Sequence, residues 1–380
     1  IAVPQATGIA ILGDVFVSAL KAIAPLLVFF LVISSLCNAG KSHGGVIKTV
    51  IILYMFSTVL AAVIAVFASM AFPVKMTLAN AATDTSAPQG IVEVLNNLLL
   101  NVVANPVSSL VNANYVGILM WAVLLGLAFR AADKMTKKVL ADVADGISMV
   151  VTWIINLAPF GIFGLVFNTV STNGLDIFTT YGKLLLLLVG CMLFIYFVTN
   201  PLLVYWCIRQ NPYPLIFHCL KRSALTAFFT RSSAANIPVN MKVCEEMGLD
   251  RDTYSVTIPL GATINMDGAA ITITVMTMAT AFTLGIHVDI PTAIILSLLA
   301  ALSACGASGV AGGSLLLIPM ACSLFGISDD ISMQVVAVGF IIGVVQDSVE
   351  TALNSSSDLL LSASAEFRQW RLEGKEIKFK

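Results

Sequence analysis

The stretch VGFIIGVVQDSVETALNSSSDLLLSASAE, residues 338–366, decides how the rest of the chain is interpreted. It opens as an apolar run, and its middle carries the polar side chains Asp347, Glu350, Thr351, Asn354 and Asp358. At about 100° per residue, these five lie within roughly one 100° arc of a helix. The apolar positions Val349, Leu353, Leu360 and Ala363 lie opposite. The whole segment is long enough to span a bilayer.

Three carboxylates on one helix face indicate a site that receives cations. A central Asp in a membrane costs at least about 2.5 kcal/mol, and like charges side by side repel one another. A ligand ammonium group and an alkali metal ion would supply the missing positive charge, and the Asn354 amide could donate to a ligand carboxylate. The pattern therefore favours a zwitterion bound together with a metal ion. The alternative is a polar stripe that faces solvent outside the membrane.

The composition excludes a soluble globular protein. Of 380 residues, 58% are hydrophobic and 11% are charged, whereas soluble domains are about a quarter charged. The apolar runs predict an all-α polytopic membrane protein with about eight hydrophobic segments. A net charge of −1 gives no reason to expect a nucleic-acid partner. Seven isolated cysteines without a CxxC pair predict apolar filling and no zinc or disulfide site.

The first half of the chain reads as ordinary spanning segments, at residues 15–37, 46–72, 115–129, 149–170 and 184–208. The polar insert 73–114, with an amphipathic part at 91–103, is interpreted as an extramembrane excursion. The chain begins at Ile1 without a methionine, which leaves open a spanning segment before it.

The second half reads differently, because small and polar residues interrupt every long apolar run. Residues 228–241 and 303–320 are interpreted as re-entrant hairpins; the alternative is two ordinary loops. Between them, TIPLGATINMDGAAITIT predicts a helix interrupted around Asn265–Gly268, unless Asp267 is only a helix cap. The order of hairpin, interrupted helix, hairpin and helix suggests an inverted repeat.

The two predicted hairpin tips carry groups suited to ligand contact. At the first tip, the backbone N–H groups of Ser232 and Ser233 could bind a carboxylate, and Arg231 could serve the site or anchor the chain at the cytoplasmic surface. The second tip is glycine-rich and could approach a ligand closely, unless its glycines only ease helix packing. Those glycines are Gly306, Gly309, Gly312 and Gly313.

Positive residues predict the orientation. They cluster at residues 41–48, 130–138, 209–222 and 368–380, and all four groups fall on one side if both hairpins re-enter without crossing. The positive-inside rule makes that side, and the C-terminus, cytoplasmic.

Four motifs in order, RSSAANIPVNM, PLGATINMDG, ACGASGVAGG and DSVETALNSSSD, resemble the dicarboxylate/amino acid:cation symporter family over nearly the whole chain. This resemblance implies a glutamate-transporter-like fold with two re-entrant hairpins and an interrupted seventh helix. It also implies a homotrimer that works as an elevator. The implied parts are residues 1–210, mainly scaffold and trimerisation helices with part of the transport domain; residues 211–366, the transport core; and residues 367–380, a cytoplasmic tail.

The resemblance also implies site residues. The implied substrate residues are Ser233, Val310, Asp347, Glu350, Thr351 and Asn354. Among them, Asp347 would hold the substrate ammonium and Asn354 the α-carboxylate. The implied sodium residues are Tyr54, Ser57, Thr58, Thr263, Asn265, Met266, Asp267, Asn354 and Asp358.

Departures from the family pattern predict the substrate. Members that carry acidic amino acids have Arg at the position of Glu350 and Thr at that of Ala269, and Ala311 stands where Pro is usual. Glu350 would repel a side-chain carboxylate and could accept a hydrogen bond from a hydroxyl. The chain is most similar to the bacterial sodium:serine/threonine branch.

The expected function is therefore Na⁺-coupled uptake of small neutral amino acids, chiefly serine and threonine, across a bacterial inner membrane. Three alternatives are uptake of alanine or an acidic amino acid, an ion channel with a carboxylate-lined pore, and a membrane enzyme that uses Asp267 and Asp347 as an acid–base pair. Whether Glu350 contacts substrate or pairs with Arg231 is left open by the sequence.

Overall fold

The computed structural model describes residues 8–38, 45–78, 100, 103–112, 114–173, 177–305, 307 and 312–377. In these residues the regular structure is helical. The α-helices, in chain order, are α1 (Ala10–Asn38), α2 (Gly45–Ala71), α3 (Pro106–Val111), α4 (Tyr115–Ala128), α5 (Lys134–Asn156), α6 (Ala158–Asn173), α7 (Ile177–Phe194), α8 (Asn200–Ile208), α9 (Tyr213–Cys219), α10 (Leu225–Thr230), α11 (Ser233–Glu246), α12 (Arg251–Ile264), α13 (Asp267–Thr283), α14 (Ile290–Ala304), α15 (Ile318–Ser323) and α16 (Asp329–Leu372).

Five helical stretches of the described chain are long and apolar enough to cross a membrane: Ala10–Asn38, Gly45–Ala71, Thr179–Ile208, Arg251–Thr283 and Asp329–Leu372. Two shorter apolar helices are Met120–Ala131 and Ile290–Ala304. The predicted all-α, multi-pass membrane architecture is confirmed at this level. The predicted amphipathic part, 91–103, lies outside the described residues except at 100 and 103.

A π-helical turn at Ile195–Thr199 joins α7 to α8 without ending the helix. Pro201 follows this turn, and a proline lacks the backbone N–H that the regular helical ladder needs. The extra residue of a π-bulge accommodates that loss. The turn brings Asn200 into the interior, where its Nδ2 donates to Ser357 Oγ of α16 at 3.0 Å.

The centre of the molecule is the second half of α16. Its residues are buried almost continuously from Gln346 to Phe367, including the apolar positions on the back of the predicted polar stripe. The alternative that the stripe faces solvent is wrong, because Asp347, Glu350 and Asp358 are at most 5% exposed.

Two of three consecutive serines, Ser355 and Ser357, tie α16 to neighbouring helices. Ser355 accepts from Asn236 Nδ2 at 2.8 Å, and its carbonyl accepts from Asn240 Nδ2 at 2.8 Å. Ser356 donates to the carbonyl of Ala352 in its own helix at 2.5 Å. The Ser355 bonds hold α16 against α11 on one side, and the Ser357 bond holds it against α8 on another.

The chain leaves helical geometry between α12 and α13. Asn265 has φ −99° and ψ 78°, and Met266 has φ −119° and ψ 53°. This two-residue linker lies where the sequence predicts a break. Asp267 is the first residue of α13, but its carboxylate accepts hydrogen bonds from Ser57 and Thr58 of α2. Its side chain makes no cap hydrogen bond to its own helix, so the helix-cap alternative fails.

The two segments predicted as hairpin tips are described to different extents. In the first, α10 ends at Thr230, Arg231 adopts a left-handed conformation with φ 49°, and Ser232 Oγ caps α11 by accepting from Ala235 N. In the second, α14 ends at Ala304, and Gly312 has a left-handed conformation with φ 73°. Val310, Ala311, Gly306 and Gly309 lie outside the described residues.

The burial of most cysteines fits their interpretation as apolar filling. All seven are free thiols, and all but the half-buried Cys305 are buried. The described residues contain no group of three or more His, Cys, Asp or Glu side chains placed to hold a metal ion.

Candidate functional site

A small cavity lies at the buried centre of α16, beside the tip of α11 and the segment that follows Gly312. Its volume is about 20 Å³, which is room for roughly one water molecule. Arg231, Ser233, Met266, Ala307, Ser314, Asp347, Glu350, Thr351 and Asn354 line it. Five of the six predicted substrate residues therefore share one cavity; the sixth, Val310, lies outside the described residues.

Glu350 is the most extensively hydrogen-bonded side chain of this cavity. Its Oε2 accepts from Gln346 Nε2 at 2.5 Å, from Thr272 Oγ1 at 2.7 Å and from Ser314 Oγ at 2.9 Å. Because all three bonds fall on Oε2, Oε1 is left to accept from a ligand.

Asp347 lies one helical turn before Glu350 on the same face. Its Oδ1 accepts from the backbone N–H of Gly312 at 3.2 Å, and its Oδ2 is buried without a protein partner in the described structure. An ionised carboxylate can accept on both oxygens, so Oδ2 is an acceptor suited to a cationic ligand group.

Arg231 lines the cavity and is only half exposed, so it does not lie out at the surface. Within the described residues it forms no ion pair with Glu350 or Asp347, and the ion pairs there are Arg222 with Glu246 and Lys375 with Glu373. The geometry therefore gives no Arg231–Glu350 pair, one of the alternatives left open by the sequence.

Asn354 and Ser233 complete the cavity from two directions. Asn354 Oδ1 accepts from the backbone N–H of Gly268 at 2.7 Å, while its Nδ2 donates weakly to Met266 Sδ at 3.4 Å. A ligand carboxylate could therefore accept from Asn354 Nδ2 in place of the Met266 sulfur. Ser233 is the first residue of α11, where unpaired backbone N–H groups favour an anion.

A second polar cluster lies beside the cavity, where α2 meets the linker between α12 and α13. Ser57 Oγ donates to Asp267 Oδ2 at 2.7 Å, and Thr58 Oγ1 donates to Asp267 Oδ1 at 3.1 Å. Met266 N in turn donates to Thr58 Oγ1 at 3.3 Å. All four residues are buried, so these oxygens form a dry anionic group.

A third cluster joins Asn265, Asp358 and Tyr54. Asn265 Nδ2 donates to Asp358 Oδ1 at 2.9 Å, which leaves Asn265 Oδ1 buried without a partner in the described structure. Tyr54 Oη donates to the carbonyl of Asp358 at 2.9 Å. The approach is close because Gly261 has no side chain; a Cβ there would lie 2.7 Å from Asp358 Oδ1 and 2.9 Å from Tyr54 Oη.

The predicted sodium residues are thus mostly brought together as oxygen clusters, with Thr263 as the exception. Thr263 Oγ1 donates to the carbonyl of Leu260 in its own helix at 2.8 Å, and the side chain is half-buried. Carboxylate, amide, hydroxyl and backbone oxygens are the ligands that hard cations prefer. The donor set therefore suits an alkali metal ion and not a thiophilic one.

None of the buried carboxylates Asp267, Asp347, Glu350 and Asp358 has a basic partner within ion-pair distance among the described residues. Removing one partner of a buried ion pair costs several kcal/mol because a charge is left uncompensated. Arg231 lines the cavity beyond ion-pair distance, so four carboxylates face one arginine and the site is short of positive charge that cations can supply.

Sequence reasoning missed Gln346, Thr272 and Ser314. One signal was available: Gln346 lies four residues before Glu350, so the two share a helix face. Thr272 and Ser314 gave none, since hydroxyls in apolar helices commonly bond their own backbone.

Comparison with known proteins agrees with this geometry. The family model described as the sodium:dicarboxylate symporter family matches residues 2–366. The chain is 59% identical over 375 residues to the serine/threonine transporter SstT of Bifidobacterium adolescentis, a match that covers 98% of this chain and 87% of the relative. The family is one of transporters, so the enzyme alternative is set aside. On the extent of the match, the chain belongs to the sodium:dicarboxylate symporter family.

Proposed function

We propose that this protein couples the inward movement of Na⁺ to the uptake of serine and threonine. The observation that carries the proposal is the set of four buried carboxylates that have no basic group within ion-pair distance among the described residues. A zwitterionic amino acid with Na⁺ ions would bring the compensating charge, so each would bind better in the presence of the other. Such reciprocal coupling is what a symporter requires.

Different cavity residues bind different groups of the substrate. Asp347, with Oδ2 free of protein partners, holds the ammonium group, and Asn354 Nδ2 with the N-terminal backbone of α11 at Ser233 holds the α-carboxylate. Thr351 lines the cavity between them. Glu350 Oε1 accepts from the substrate hydroxyl, and Val310 contributes backbone from the second hairpin tip.

Glu350 also carries the argument against an acidic substrate. Its carboxylate sits in the cavity with Asp347, so an aspartate side chain would place a third carboxylate beside two others. Like-charge contacts of this kind cost several kcal/mol. The serine/threonine transporter that is 59% identical to this chain points to the same substrate class.

Na⁺ binds at the neighbouring oxygen clusters. One ion is held by Asp267, Ser57, Thr58, Tyr54 and Asn265, and a second by Asn265, Asn354 and Asp358. A third lies near Thr263 and Met266, beneath the second hairpin. These ions are carried with the substrate and are not resident cofactors.

The fold supports the transport cycle as follows. Residues 228–241 and 303–320 form re-entrant hairpins, and α12–α13 is one transmembrane helix interrupted at Asn265 and Met266. The core 211–366 moves as an elevator against helices contributed mainly by residues 1–210, within a homotrimer in the bacterial inner membrane. The tail 367–380 is cytoplasmic. Because the cavity holds about one water molecule, substrate entry requires the second hairpin to move away from α16.

Uptake of radiolabelled serine into proteoliposomes tests the proposal. We expect accumulation with an inward Na⁺ gradient but not an inward K⁺ gradient, and competition by threonine but not by aspartate. Strong competition by aspartate would contradict the role of Glu350. Ion current without saturable amino acid accumulation would instead favour a channel.

A further inference from the structure

We propose that Gln346, Thr272 and Ser314 are positioning residues that fix the Glu350 carboxylate and thereby set the preference for a hydroxylated amino acid. The inference rests on the symport proposed above and deepens it. Gln346 and Thr272 do not line the cavity and act through Glu350, whereas Ser314 lines the cavity and also bonds Glu350.

The three donors reach Glu350 Oε2 from three separate elements. Gln346 lies one turn earlier on α16, Thr272 lies on α13, and Ser314 follows the glycine pair Gly312–Gly313. All of them are buried, at 0 to 1% exposure, as is Glu350 at 5%. Water therefore competes poorly for these hydrogen bonds, and their geometry is set by the packing of the elements.

The hydrogen bonds of this network are consistent with an ionised Glu350. In that arrangement Gln346 Nε2 donates both to Thr272 Oγ1 at 2.8 Å and to Glu350 Oε2 at 2.5 Å. Thr272 Oγ1 accepts the hydrogen bond from Gln346 and donates its own hydroxyl hydrogen to Glu350. Donors thus converge on one oxygen, which is the arrangement that stabilises an ionised carboxylate.

The consequence is a fixed acceptor in the cavity. A free glutamate side chain samples many rotamers, and selectivity is lost when a contact group is held loosely. With Oε2 held on three sides, Oε1 is the oxygen left to accept from a β-hydroxyl. Alanine lacks that hydroxyl and would leave Oε1 unpaired, which is the kind of difference on which discrimination between similar substrates rests.

Ser314 adds a link to the second hairpin. The same short segment donates to Asp347 through Gly312 N at 3.2 Å and to Glu350 through Ser314 Oγ at 2.9 Å. Both cavity carboxylates are therefore held by a segment that must move when substrate enters. Discrimination between hydroxylated and non-hydroxylated substrates would then occur when this segment packs back against α16.

Helix α13 supplies a matched control. Thr274 lies two residues after Thr272, is fully buried, and its Oγ1 has no hydrogen-bond partner in the described structure. Thr272→Val and Thr274→Val remove the same hydroxyl from the same helix, but only the first removes a donor from Glu350.

The test compares kcat/KM for serine and for alanine in Na⁺-energised proteoliposomes. We expect Thr272→Val and Ser314→Ala each to lower the serine-to-alanine ratio on the order of tenfold, mainly through the KM for serine. Alanine transport by Thr272→Val should stay within about twofold of the parent, and Thr272→Ser should restore the ratio because it keeps the hydroxyl. Thr274→Val should leave the ratio unchanged.

An unchanged ratio in both Thr272→Val and Ser314→Ala would overturn the proposal, and so would an equal loss for serine and alanine. Ser314→Ala removes one oxygen from a segment outside the long helices, so it remains informative if Thr272→Val fails to fold. Failure of the parent protein to accumulate serine with Na⁺ would refute the symport itself, an outcome separate from either of these.

Discussion

At the scale of single residues, Asp347 and Glu350 lie one turn apart and have different surroundings. Asp347 has one backbone donor and one unpartnered oxygen, whereas Glu350 has three donors on a single oxygen. The first arrangement leaves room for a cationic group, and the second presents a fixed acceptor. The two acids therefore have separable roles, which two substitutions can distinguish.

Asp347→Asn removes the charge that we assign to the substrate ammonium. Losing one partner of a buried charge pair costs about 2–5 kcal/mol, so serine affinity should fall at least about 30-fold. Isothermal titration with serine at saturating Na⁺ measures the change. Asp142→Asn, at an exposed position on α5, serves as the control. Affinity within a few-fold of the parent would remove Asp347 from the ammonium role.

Glu350→Gln should change the selectivity between serine and alanine more than the maximal rate of transport. The three donors would hold the amide oxygen at the Oε2 position, so the NH₂ group would face the cavity where an acceptor stood. A serine hydroxyl would then lose its acceptor, and the serine-to-alanine ratio should fall about tenfold. Competition of labelled serine uptake by alanine measures this. The role fails if the ratio does not move.

Sequence alone could predict the members of this site that lie on one helix. Asp347, Glu350, Thr351 and Asn354 share a face of α16, so helical periodicity was enough. Thr272 could not be found this way: another threonine of α13, Thr280, bonds the carbonyl of Met276 in its own helix at 2.7 Å, whereas Thr272 bonds across to α16. Only tertiary packing distinguishes the two threonines.

At the scale of elements, the helices approach one another most closely where glycine is present. A Cβ at Gly268 of α13 would lie 3.0 Å from the Glu350 backbone oxygen, and a Cβ at Gly261 of α12 would meet the Asp358 carboxylate. The first glycine lets α13 lie against the substrate cavity. The second lets α12 lie against the predicted sodium cluster.

Gly261→Ala should therefore weaken Na⁺ dependence. The added methyl group would push Asp358 and Tyr54 apart, because a Cβ at 2.7 to 2.9 Å from their oxygens is too close. We expect the Na⁺ concentration for half-maximal serine uptake to rise severalfold, with lower thermal stability. Gly182→Ala on α7 is the matched control, since its Cβ would meet nothing within 4 Å. Equal behaviour of the two variants would contradict the assignment.

The sequence predicted where helices occur better than how they are joined. The apolar segments of the first half correspond to α1, α2, α4, α5–α6 and α7–α8, because length and hydropathy specify spanning helices. The π-helical turn at Ile195–Thr199, which precedes Pro201, was not predicted. Whether a proline in a helix produces a π-bulge or a kink depends on which of the two the neighbouring helices can pack against.

At the scale of the whole molecule, the orientation can be tested with introduced cysteines. Because six native thiols are buried and Cys305 is half-buried, background labelling should be slow. We expect Lys138→Cys and Lys375→Cys to react with an impermeant maleimide from the cytoplasmic side, and His287→Cys from the opposite side. Vesicles of both orientations, with the parent protein as background, provide the comparison. Labelling of His287→Cys from the same side as the other two would contradict the topology.

The length and polarity of α16 also bear on how the protein is made. At about 1.5 Å per residue its 44 residues extend about 66 Å, roughly twice the hydrocarbon core. The part up to Val345 is apolar enough to leave the translocon for lipid, but the part from Gln346 onward carries acids that cost about 2.5–3.5 kcal/mol per central Asp. The described groups that bond these acids, apart from Gln346 of α16 itself, lie earlier in the chain, at Asp250, Asn265, Thr272, Gly312 and Ser314. Helix α16 is synthesised after all of them, so we expect its polar half to enter the membrane by docking onto helices already in place.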